Sequence, residues 1–264
     1  MNGSPITAND FRNQRVLAVF AHPDDETWAA GGLLRRVAST GGIVHLVTLS
    51  HGERGFDHVA RRRDGALAEA RYRELANACA RLGVASFEVL GLPDMGVTAV
   101  ATKAGLAPIL AAFEPDVLVG FDRDGGYGHI DHVLGVLGTF AAVSELDRPP
   151  RLIAPVFPPG LLTPLRDWLA RHHPHLVHPD VRSGPLGGES ATFTLELTCD
   201  EATAKRRALL CHASQLDRGG VDGFLGIGVM ASLFHCERYR EVVLDAGDAA
   251  ALEIQVAVSE QRPA

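Results

Sequence analysis

The segment from residue 16 to residue 26, VLAVFAHPDDE, constrains the fold more than any other part of this 264-residue chain. It opens with five consecutive apolar residues, 16–20, the composition of a β-strand that is buried on both faces. A histidine and three carboxylates then follow around Pro23, which fixes φ and favours a turn. These four side chains are His22, Asp24, Asp25 and Glu26. Because open α/β sheets keep their sites at the carboxyl ends of the strands, the segment predicts such a sheet with its site at this edge.

Apolar strands and amphipathic helices alternate from residue 15 to about residue 157. Strands are predicted at residues 16–20, 43–49, 87–90, 117–121 and 152–157. Helices are predicted between them at residues 27–37, 59–82, 106–113 and 133–146. This alternation indicates right-handed βαβ units, and hence a Rossmann-like three-layer α/β sandwich with a mostly parallel sheet. Residues 223–228, GFLGIG, have the wrong glycine pattern and no preceding strand, so no dinucleotide site is expected.

The two ends of the chain differ from this regular part. Residues 1–14 are polar and lack an apolar core, so we expect an N-terminal extension and not a signal peptide. Residues 15–264 are predicted to form a single domain, in which about the last 70 residues are an appendage on the same fold. There a strand is predicted at 191–197, a helix at 200–212 and a glycine-rich loop at 219–228.

Charge and composition exclude several classes of partner. The net charge is −7 and no basic run exceeds residues 61–63, so nucleic acid is not expected as a partner. No segment reaches the roughly 18 uninterrupted apolar residues of a membrane span. Four cysteines without C-x-x-C spacing favour free thiols in a reducing, cytoplasmic location. A small molecule is therefore the expected partner, and a homo-oligomer stays open.

Two polar clusters, each following a predicted strand, suggest a metal site. The first contains His22-x-x-Asp25 and the second His129-x-x-His132. Residues three apart share one face of a helix, so either pair can direct two side chains at one point. Two histidines and a carboxylate, with positions left for water, suit a catalytic Zn²⁺ ion. A closed structural zinc site would need a fourth protein ligand, usually cysteine, and none lies nearby.

Other residues of these types have simpler explanations. Residues 172–178, HHPHLVH, are rich in histidine, but prolines interrupt them and no strand precedes them, so we expect a solvated loop. His45 lies inside a predicted strand and is expected to be a satisfied core or edge histidine. Asp24 could simply cap the following helix, since aspartate favours helix starts. The absence of a G-x-S-x-G motif disfavours a serine hydrolase.

Residues 21–26, AHPDDE, and 125–132, GGYGHIDH, resemble the two signature motifs of the PIG-L/LmbE-like zinc deacetylases. Residues 50–55, 90–94 and 212–215 agree further, so the resemblance spans residue 15 to about residue 216. Members of that family remove N-acyl groups from amino sugars. The resemblance therefore implies a metal-dependent amide hydrolase that removes an N-acyl group, with N-acetyl expected, from a glucosamine-type compound.

The resemblance also implies a role for each matching side chain. One zinc ion per chain, replaceable by other divalent metals, would be bound by His22, Asp25 and His132. Asp24 would be the general base that activates water. The acyl oxygen would be polarised by Tyr127 and His129, with Asp131 orienting His129. Sugar hydroxyls would be contacted by Arg54 and Asp94.

Two alternatives remain at this point. One is a metal-dependent hydrolase of another small amide or ester on the same scaffold. The other is a non-catalytic sugar- or nucleotide-binding protein, which is disfavoured because a binding protein needs no base beside a metal. Acetate release from N-acetylglucosamine conjugates, measured with and without a chelator, distinguishes them.

Overall fold

A computed structural model describes residues 11–60, 66–184, 186–188, 190–217, 219–226 and 228–244. In this part the strands are Arg15–Phe20 (β1), Ile43–Thr48 (β2), Ser86–Val89 (β3), Val117–Gly120 (β4), Arg151–Pro155 (β5), Phe193–Glu196 (β6) and Cys236–Val242 (β7). The helices are Asp25–Ser39 (α1), Leu67–Leu82 (α2), Ala99–Phe113 (α3), Ile130–Ser144 (α4), Thr163–His172 (α5), Cys199–Leu209 (α6), Gly220–Gly223 (α7) and Val229–Leu233 (α8).

The strands form one sheet in the order β3-β2-β1-β4-β5-β7-β6, which confirms the predicted α/β fold with a mostly parallel sheet. β1 to β5 are parallel to their neighbours, whereas β7 is antiparallel to both β5 and β6. From β1 the chain adds strands first on one side and later on the other. Right-handed crossovers in opposite directions put α1 and α2 on one face and α3 and α4 on the other. The switch point of the topology therefore lies between β1 and β4.

The apolar run predicted as the first strand is the centre of the core. Leu17 and Ala18 are fully buried, and Val16 pairs with Val44 on one side and with Val117 on the other. A strand with two neighbours and helices on both faces has no exposed side, which explains its continuous apolar sequence.

Two predicted helix starts are wrong. α2 begins at Leu67, residues 58–60 form a turn, and residues 61–65 of the predicted helix lie outside the described part. α3 begins at Ala99 instead of residue 106, because the Thr98 hydroxyl caps it by accepting a hydrogen bond from the Ala101 N–H (3.2 Å). Pro108 lies inside α3, where it hides the helical pattern of the sequence.

Strand β7 was not predicted, because its sequence CERYREV is rich in charges. The structure buries one of these charges in a network. The Glu237 carboxylate accepts hydrogen bonds from the backbone N–H groups of Gly32 (2.8 Å) and Leu33 (2.9 Å), and from the Tyr239 hydroxyl (2.6 Å). It also pairs with the buried Lys205 ammonium (2.6 Å). These contacts tie the C-terminal part of the described chain to α1.

Among the described residues, no helix is long and apolar enough to cross a membrane. All four cysteines lie in the described part, and all are free thiols. His45 is buried, and its ring nitrogens face the Ser86 hydroxyl (2.7 Å) and the Glu88 carboxylate (3.2 Å).

Candidate active site

The segments that follow β1 and β4 meet at the switch point of the sheet. β1 and β4 are neighbours, so His22 and Asp25 come to lie beside His132 at the start of α4. All three residues are buried. Gly125 has a φ of +62°, and an added Cβ there would lie 2.7 Å from the Cβ of His132. Glycine is therefore required for this loop to pass so close to the histidine.

The donor atoms of these three residues form a triangle. His22 Nδ1 lies 3.1 Å from His132 Nε2 and 3.6 Å from Asp25 Oδ2, and His132 Nε2 lies 3.2 Å from Asp25 Oδ2. In a tetrahedral zinc site with bonds of about 2.0–2.1 Å, two ligand atoms are separated by about 3.3 Å. The triangle therefore has the size that such a metal centre requires.

The outer nitrogens of both histidines are held by hydrogen-bond acceptors. His132 Nδ1 faces the Gly125 carbonyl oxygen at 2.9 Å, which leaves Nε2 as the lone-pair donor. His22 Nε2 faces the carboxylates of Asp131 and Asp94, each at 3.3 Å, which leaves Nδ1 as its donor. Ligating histidines usually give their second N–H to a carboxylate or backbone carbonyl, so both side chains have the surroundings of metal ligands.

The charge balance of the centre also favours a cation. Burial lowers the pKa of His22, but the carboxylates of Asp131, Asp25 and Asp94 raise it more, and the result lies well above the usual value. Burial raises the pKa of Asp25, but His132 and His22 hold it well below its usual range. The centre thus favours added positive charge, which a metal ion supplies as well as a proton does.

Two further sets of three donor groups share His22. They are His22 with His129 and His132, and His22 with Asp94 and Asp131, each with donor atoms within 4.8 Å of one another. Among the described residues, donor groups of this kind converge only around His22. The histidine-rich residues 172–178 form no such set within that part of the chain.

Asp24 does not act as a simple helix cap. Its side chain makes no capping hydrogen bond, and its φ of +109° is a strained conformation for a residue other than glycine. The carboxylate instead accepts a hydrogen bond from the Arg71 guanidinium (2.9 Å) and lines the site cavity. Burial raises the pKa of Asp24 from 3.8 to about 7, although Arg71 lowers it. Asp24 is thus a cavity-lining carboxylate with a raised pKa, and its role as a general base stays a prediction.

Arg71 is a site residue that the sequence analysis missed. It is 4% exposed, and besides Asp24 it donates to the carbonyl oxygens of Gly52 (2.9 Å) and Pro23. It thus joins the segment after β1 to the loop after β2. The sequence carried a signal for this role, namely a charged residue on the apolar face of α2. Arg71 lies four residues after Leu67 and four before Leu75.

A buried pair beneath Asp24 supports its backbone. Glu26 accepts a hydrogen bond from the Asp24 N–H (2.9 Å), another from the Thr27 hydroxyl, and faces His212 Nε2 at 2.9 Å. Glu26 and His212 are both fully buried. Burial lowers the pKa of His212, but Glu26 raises it more, so the net shift is upward. The third carboxylate of the first cluster therefore holds the turn in place.

His129 lies beside the donor triangle as a neutral hydrogen-bond donor. Its Nδ1 accepts from the Asp131 backbone N–H (3.2 Å), which places the ring proton on Nε2. Burial lowers its pKa well below the usual value, and His22 and His132 lower it further. Tyr127 adjoins it, with its ring 5.0 Å from that of His132, and burial raises the pKa of its phenol.

Asp131 contacts His129 through its backbone N–H and not through its carboxylate. That carboxylate faces His22 Nε2 (3.3 Å) and accepts from the Met95 N–H (2.6 Å). The first turn of α4 separates the two side chains, so the backbone amide of residue 131 takes over the contact with His129.

Arg54 and Asp94 line the cavity, as a contact with substrate requires. Arg54 is exposed in the loop after β2. Asp94 is 4% exposed, and its two oxygens face His22 Nε2 (3.3 Å) and the Arg54 backbone N–H (2.7 Å). The carboxylate of Asp94 therefore also supports His22, and its contact with sugar stays a prediction.

A cavity of about 990 Å³ opens above these side chains. Its outer walls come from two segments that the sequence analysis left out of the site. One contains α5 and the short 3-10 helix Pro174–Leu176, and the other includes Phe224 and Leu225 after α7. The expectation of a solvated loop at residues 172–178 holds only in part, because Pro174–Leu176 form a 3-10 helix and Leu176 and Val177 are buried, whereas His172 and His175 are exposed. His173 and His175 line the cavity.

Comparisons with known proteins point to one family. Residues 17–143 match the PIG-L family, described as GlcNAc-PI de-N-acetylase. A 1D-myo-inositol 2-acetamido-2-deoxy-alpha-D-glucopyranoside deacetylase of Streptomyces avermitilis is 36% identical, over 88% of this chain and 93% of the relative. A protein of the same description from Thermobifida fusca is 35% identical, over 52% of this chain and 57% of its own length. For several of these curated relatives the matching stretch spans about half of their length.

Solved structures share the fold. The N,N'-diacetylchitobiose deacetylase of Pyrococcus horikoshii aligns with a TM-score of 0.59 and 19% identity, over 87% of this chain and 84% of that chain. At this identity the likeness shows the fold alone.

Proposed function

The chain belongs to the PIG-L family, and from that premise we propose that it is a metal-dependent deacetylase of amino sugars. The proposed reaction is hydrolysis of the N-acetyl group of an N-acetylglucosamine-type compound to acetate and a free amine. The observation that carries the proposal is the triangle of His22, Asp25 and His132 with the Asp24 carboxylate beside it.

We assign His22, Asp25 and His132 as the residues that hold a zinc ion. The separations of their donor atoms and the acceptors behind both histidines fit zinc with a position left for water. When bound, such an ion lowers the pKa of water to about 7 and polarises a carbonyl group.

Asp24 is the proposed base that takes the proton from the attacking water. Its pKa of about 7 lets it accept a proton near neutral pH and pass that proton to the leaving amine. Arg71 holds the carboxylate by a hydrogen bond of 2.9 Å, so the base does not need to be ordered during the reaction.

His129 and Tyr127 are the proposed donors to the acyl oxygen. A neutral imidazole with its proton on Nε2 and a phenol with a raised pKa both donate hydrogen bonds without losing their protons. Such donors stabilise the negative charge that develops on the oxygen as water adds to the carbonyl carbon. Arg54 is the proposed sugar contact, because its guanidinium offers a fork of donors to neighbouring hydroxyls.

The curated relatives suggest the first substrate to test. Several are described as deacetylases of an N-acetylglucosamine glycoside of myo-inositol. We propose a compound of this class as substrate and a cytoplasmic location. A homo-oligomer stays open.

Acetate and amine release from N-acetylglucosaminyl-inositol tests the proposal. The purified protein should release both products in equal amounts, lose the activity with a chelator and regain it with zinc. Binding of the sugar without release of acetate would instead indicate a binding protein. Release of acetate from simple esters but from no amino sugar would indicate the alternative hydrolase.

A further inference from the structure

One wall of the cavity is formed by side chains that the proposed chemistry does not use. Trp168 on α5 lines the cavity together with His173 and His175, which follow at the end of that helix. We call these three residues the α5 wall. Their rings lie close together, with centroids 5.5 Å apart for Trp168 and His173 and 6.2 Å apart for His173 and His175.

The α5 wall stands on a small apolar cluster of its own. Leu169, Leu176 and Val177 form this cluster, and Met95 and Tyr127 pack against it. Because Met95 and Tyr127 also line the cavity, the wall is held at a fixed place relative to the proposed acyl-oxygen donors.

Backbone contacts attach the same segment to the loop before α4. Val177 pairs with His129 in an antiparallel bridge, and the His178 N–H donates to the Gly128 carbonyl oxygen at 2.9 Å. The buried Arg166 donates to the Gly184 carbonyl oxygen at 2.7 Å and thereby ties α5 to the end of this segment. These contacts fix the α5 wall in place beside the loop that carries His129.

Trp168 is held by its own helix and yet remains available for binding. The His172 ring stacks on it with centroids 4.9 Å apart and planes 27° apart, and His172 Nδ1 faces the Trp168 carbonyl oxygen at 2.8 Å. Even so, 47% of Trp168 is exposed. A large, rigid aromatic side chain at the rim of a cavity offers contact area at low entropic cost, as binding hot spots do.

The cavity is larger than one amino sugar needs. Its volume of about 990 Å³ is at the upper end of the range of about 300–1,000 Å³ for sites of drug-sized ligands. A single pyranose with an acetamide group is much smaller than such ligands. A sugar whose acetamide group reaches His22 and Asp24 therefore leaves the outer part, beside the α5 wall, for a second group.

We propose that the α5 wall is the binding subsite for the group attached to the amino sugar, which in the proposed substrate is a six-membered ring bearing hydroxyls. This inference rests on the proposed deacetylase function. Such a ring presents C–H groups on its face and hydroxyls at its edge. The C–H face packs on the electron-rich face of Trp168, and the hydroxyls reach the ring nitrogens of His173 and His175.

A second part of the cavity lining has the same mixed character. Phe224 and Leu225 are apolar, whereas Asp217 and Gln215 carry hydrogen-bonding groups, and all four line the cavity. The Asp217 carboxylate accepts from the Gly219 N–H (2.7 Å) and Gln215 donates to the Ser214 hydroxyl (2.9 Å), so each is only partly satisfied by the protein. A hydrocarbon chain would remove water from their remaining hydrogen-bonding positions and from the histidines without replacing it, which is unfavourable. The lining therefore favours a polyhydroxylated ring over a lipid chain.

The test compares a one-ring with a two-ring substrate. Trp168→Ala should lower kcat/KM for N-acetylglucosaminyl-inositol and N,N'-diacetylchitobiose by about tenfold or more, the effect of removing an aromatic hot spot. It should change kcat/KM for the methyl glycoside of N-acetylglucosamine by less than about twofold. Trp168→Phe should recover most of the loss. Arg171→Ala is the matched control, since Arg171 is an exposed residue of the same helix that does not line the cavity.

Binding of the amine products separates this proposal from the proposed function. Calorimetric titration with glucosaminyl-inositol and with methyl glucosaminide needs no turnover, and Trp168→Ala should weaken only the binding of the two-ring product. An equal loss for both ligands, or no loss for either, overturns the proposed subsite. Failure of the wild-type enzyme to release acetate overturns the deacetylase function alone, because the titration still decides the role of Trp168.

Discussion

Replacing Asp24 by asparagine tests the proposed base most directly. The substitution keeps the size of the side chain and removes its ability to take a proton. Loss of a general base typically lowers the rate by about 10²–10⁴-fold, which corresponds to about 3–5 kcal/mol of activation free energy. Because the three proposed metal ligands are untouched, kcat should fall by this factor while KM and metal content stay near those of the wild type.

The structure predicts how far the same substitution lowers stability. Arg71 keeps its contacts with Gly52 and Pro23, and asparagine still offers it an oxygen. The substitution removes the charge opposite a buried guanidinium, but it also removes a carboxylate whose charged form burial disfavours, as its raised pKa shows. The two effects oppose each other, so the loss of stability should stay below the roughly 1–3 kcal/mol of a buried group that only loses its partner. Proteins are typically stable by about 5–15 kcal/mol, so the variant should remain folded.

Asp122→Asn is the matched control for this substitution. Asp122 is 7% exposed and pairs with the Arg240 guanidinium at 2.8 Å, much as Asp24 pairs with Arg71. It does not line the cavity, although it also follows a strand of the sheet. Asp122→Asn should therefore keep its kcat.

The pH profile gives a second readout for Asp24. The base must be ionised to accept a proton, so activity should rise with pH through its pKa. Burial places that pKa at about 7, and a bound metal cation can only lower it, so the acidic limb should lie at or below about pH 7. The limb should disappear in Asp24→Asn. A fully metallated Asp24→Asn enzyme within a few-fold of the wild-type rate would refute the assignment.

Four further substitutions test other parts of the site and the fold. His132→Ala should reduce bound metal to near zero by elemental analysis, and full occupancy would remove His132 from the ligand set. Arg71→Lys should lower kcat by about tenfold at unchanged metal content, because one ammonium group cannot reproduce the fork of a guanidinium, and equal rates would contradict its positioning role. Arg54→Ala should raise KM for the sugar substrate by about tenfold, whereas an equal effect on a simple acetamide would exclude sugar recognition. Glu237→Gln leaves a buried lysine without its carboxylate and should lower the free energy of unfolding by about 3–5 kcal/mol in denaturant titrations, against less than about 1 kcal/mol for the partly exposed Glu241→Gln.

The sheet and the proposed metal ligands were accessible to sequence analysis for one physical reason. In a parallel sheet the carboxyl ends of the strands lie at the same edge. Each strand is a short apolar run in the sequence, and the polar site residues follow it directly. Residues 16–20 and 117–121 could therefore be paired without knowledge of distant contacts. The structure brings His22, Asp25 and His132 together at this edge, within 3.6 Å of one another.

The residues that sequence analysis missed depend on contacts between distant parts of the chain. Arg71 lies 47 residues from Asp24, and His212 lies 186 residues from Glu26. The direction of the Asp131 carboxylate is set by Met95, which comes from another loop. Local periodicity carries no information on such pairs. Around the α5 wall the helical periodicity is itself obscured, because prolines interrupt the segment.

Different contacts hold the proposed base and the proposed metal ligand His132 in place. A backbone with φ of +109° costs of the order of 1–3 kcal/mol, and it persists because Arg71 and Glu26 hold it from two sides. His132, in contrast, is fixed by the Gly125 carbonyl within its own loop. A disturbance of α2 should therefore displace the proposed base first, because His22 and Asp25, although they flank it, keep their own contacts with Asp131 and Trp28. A disturbance of the glycine-rich loop before α4 should remove the metal first, so the ratio of activity to metal content reports which of the two supports has failed.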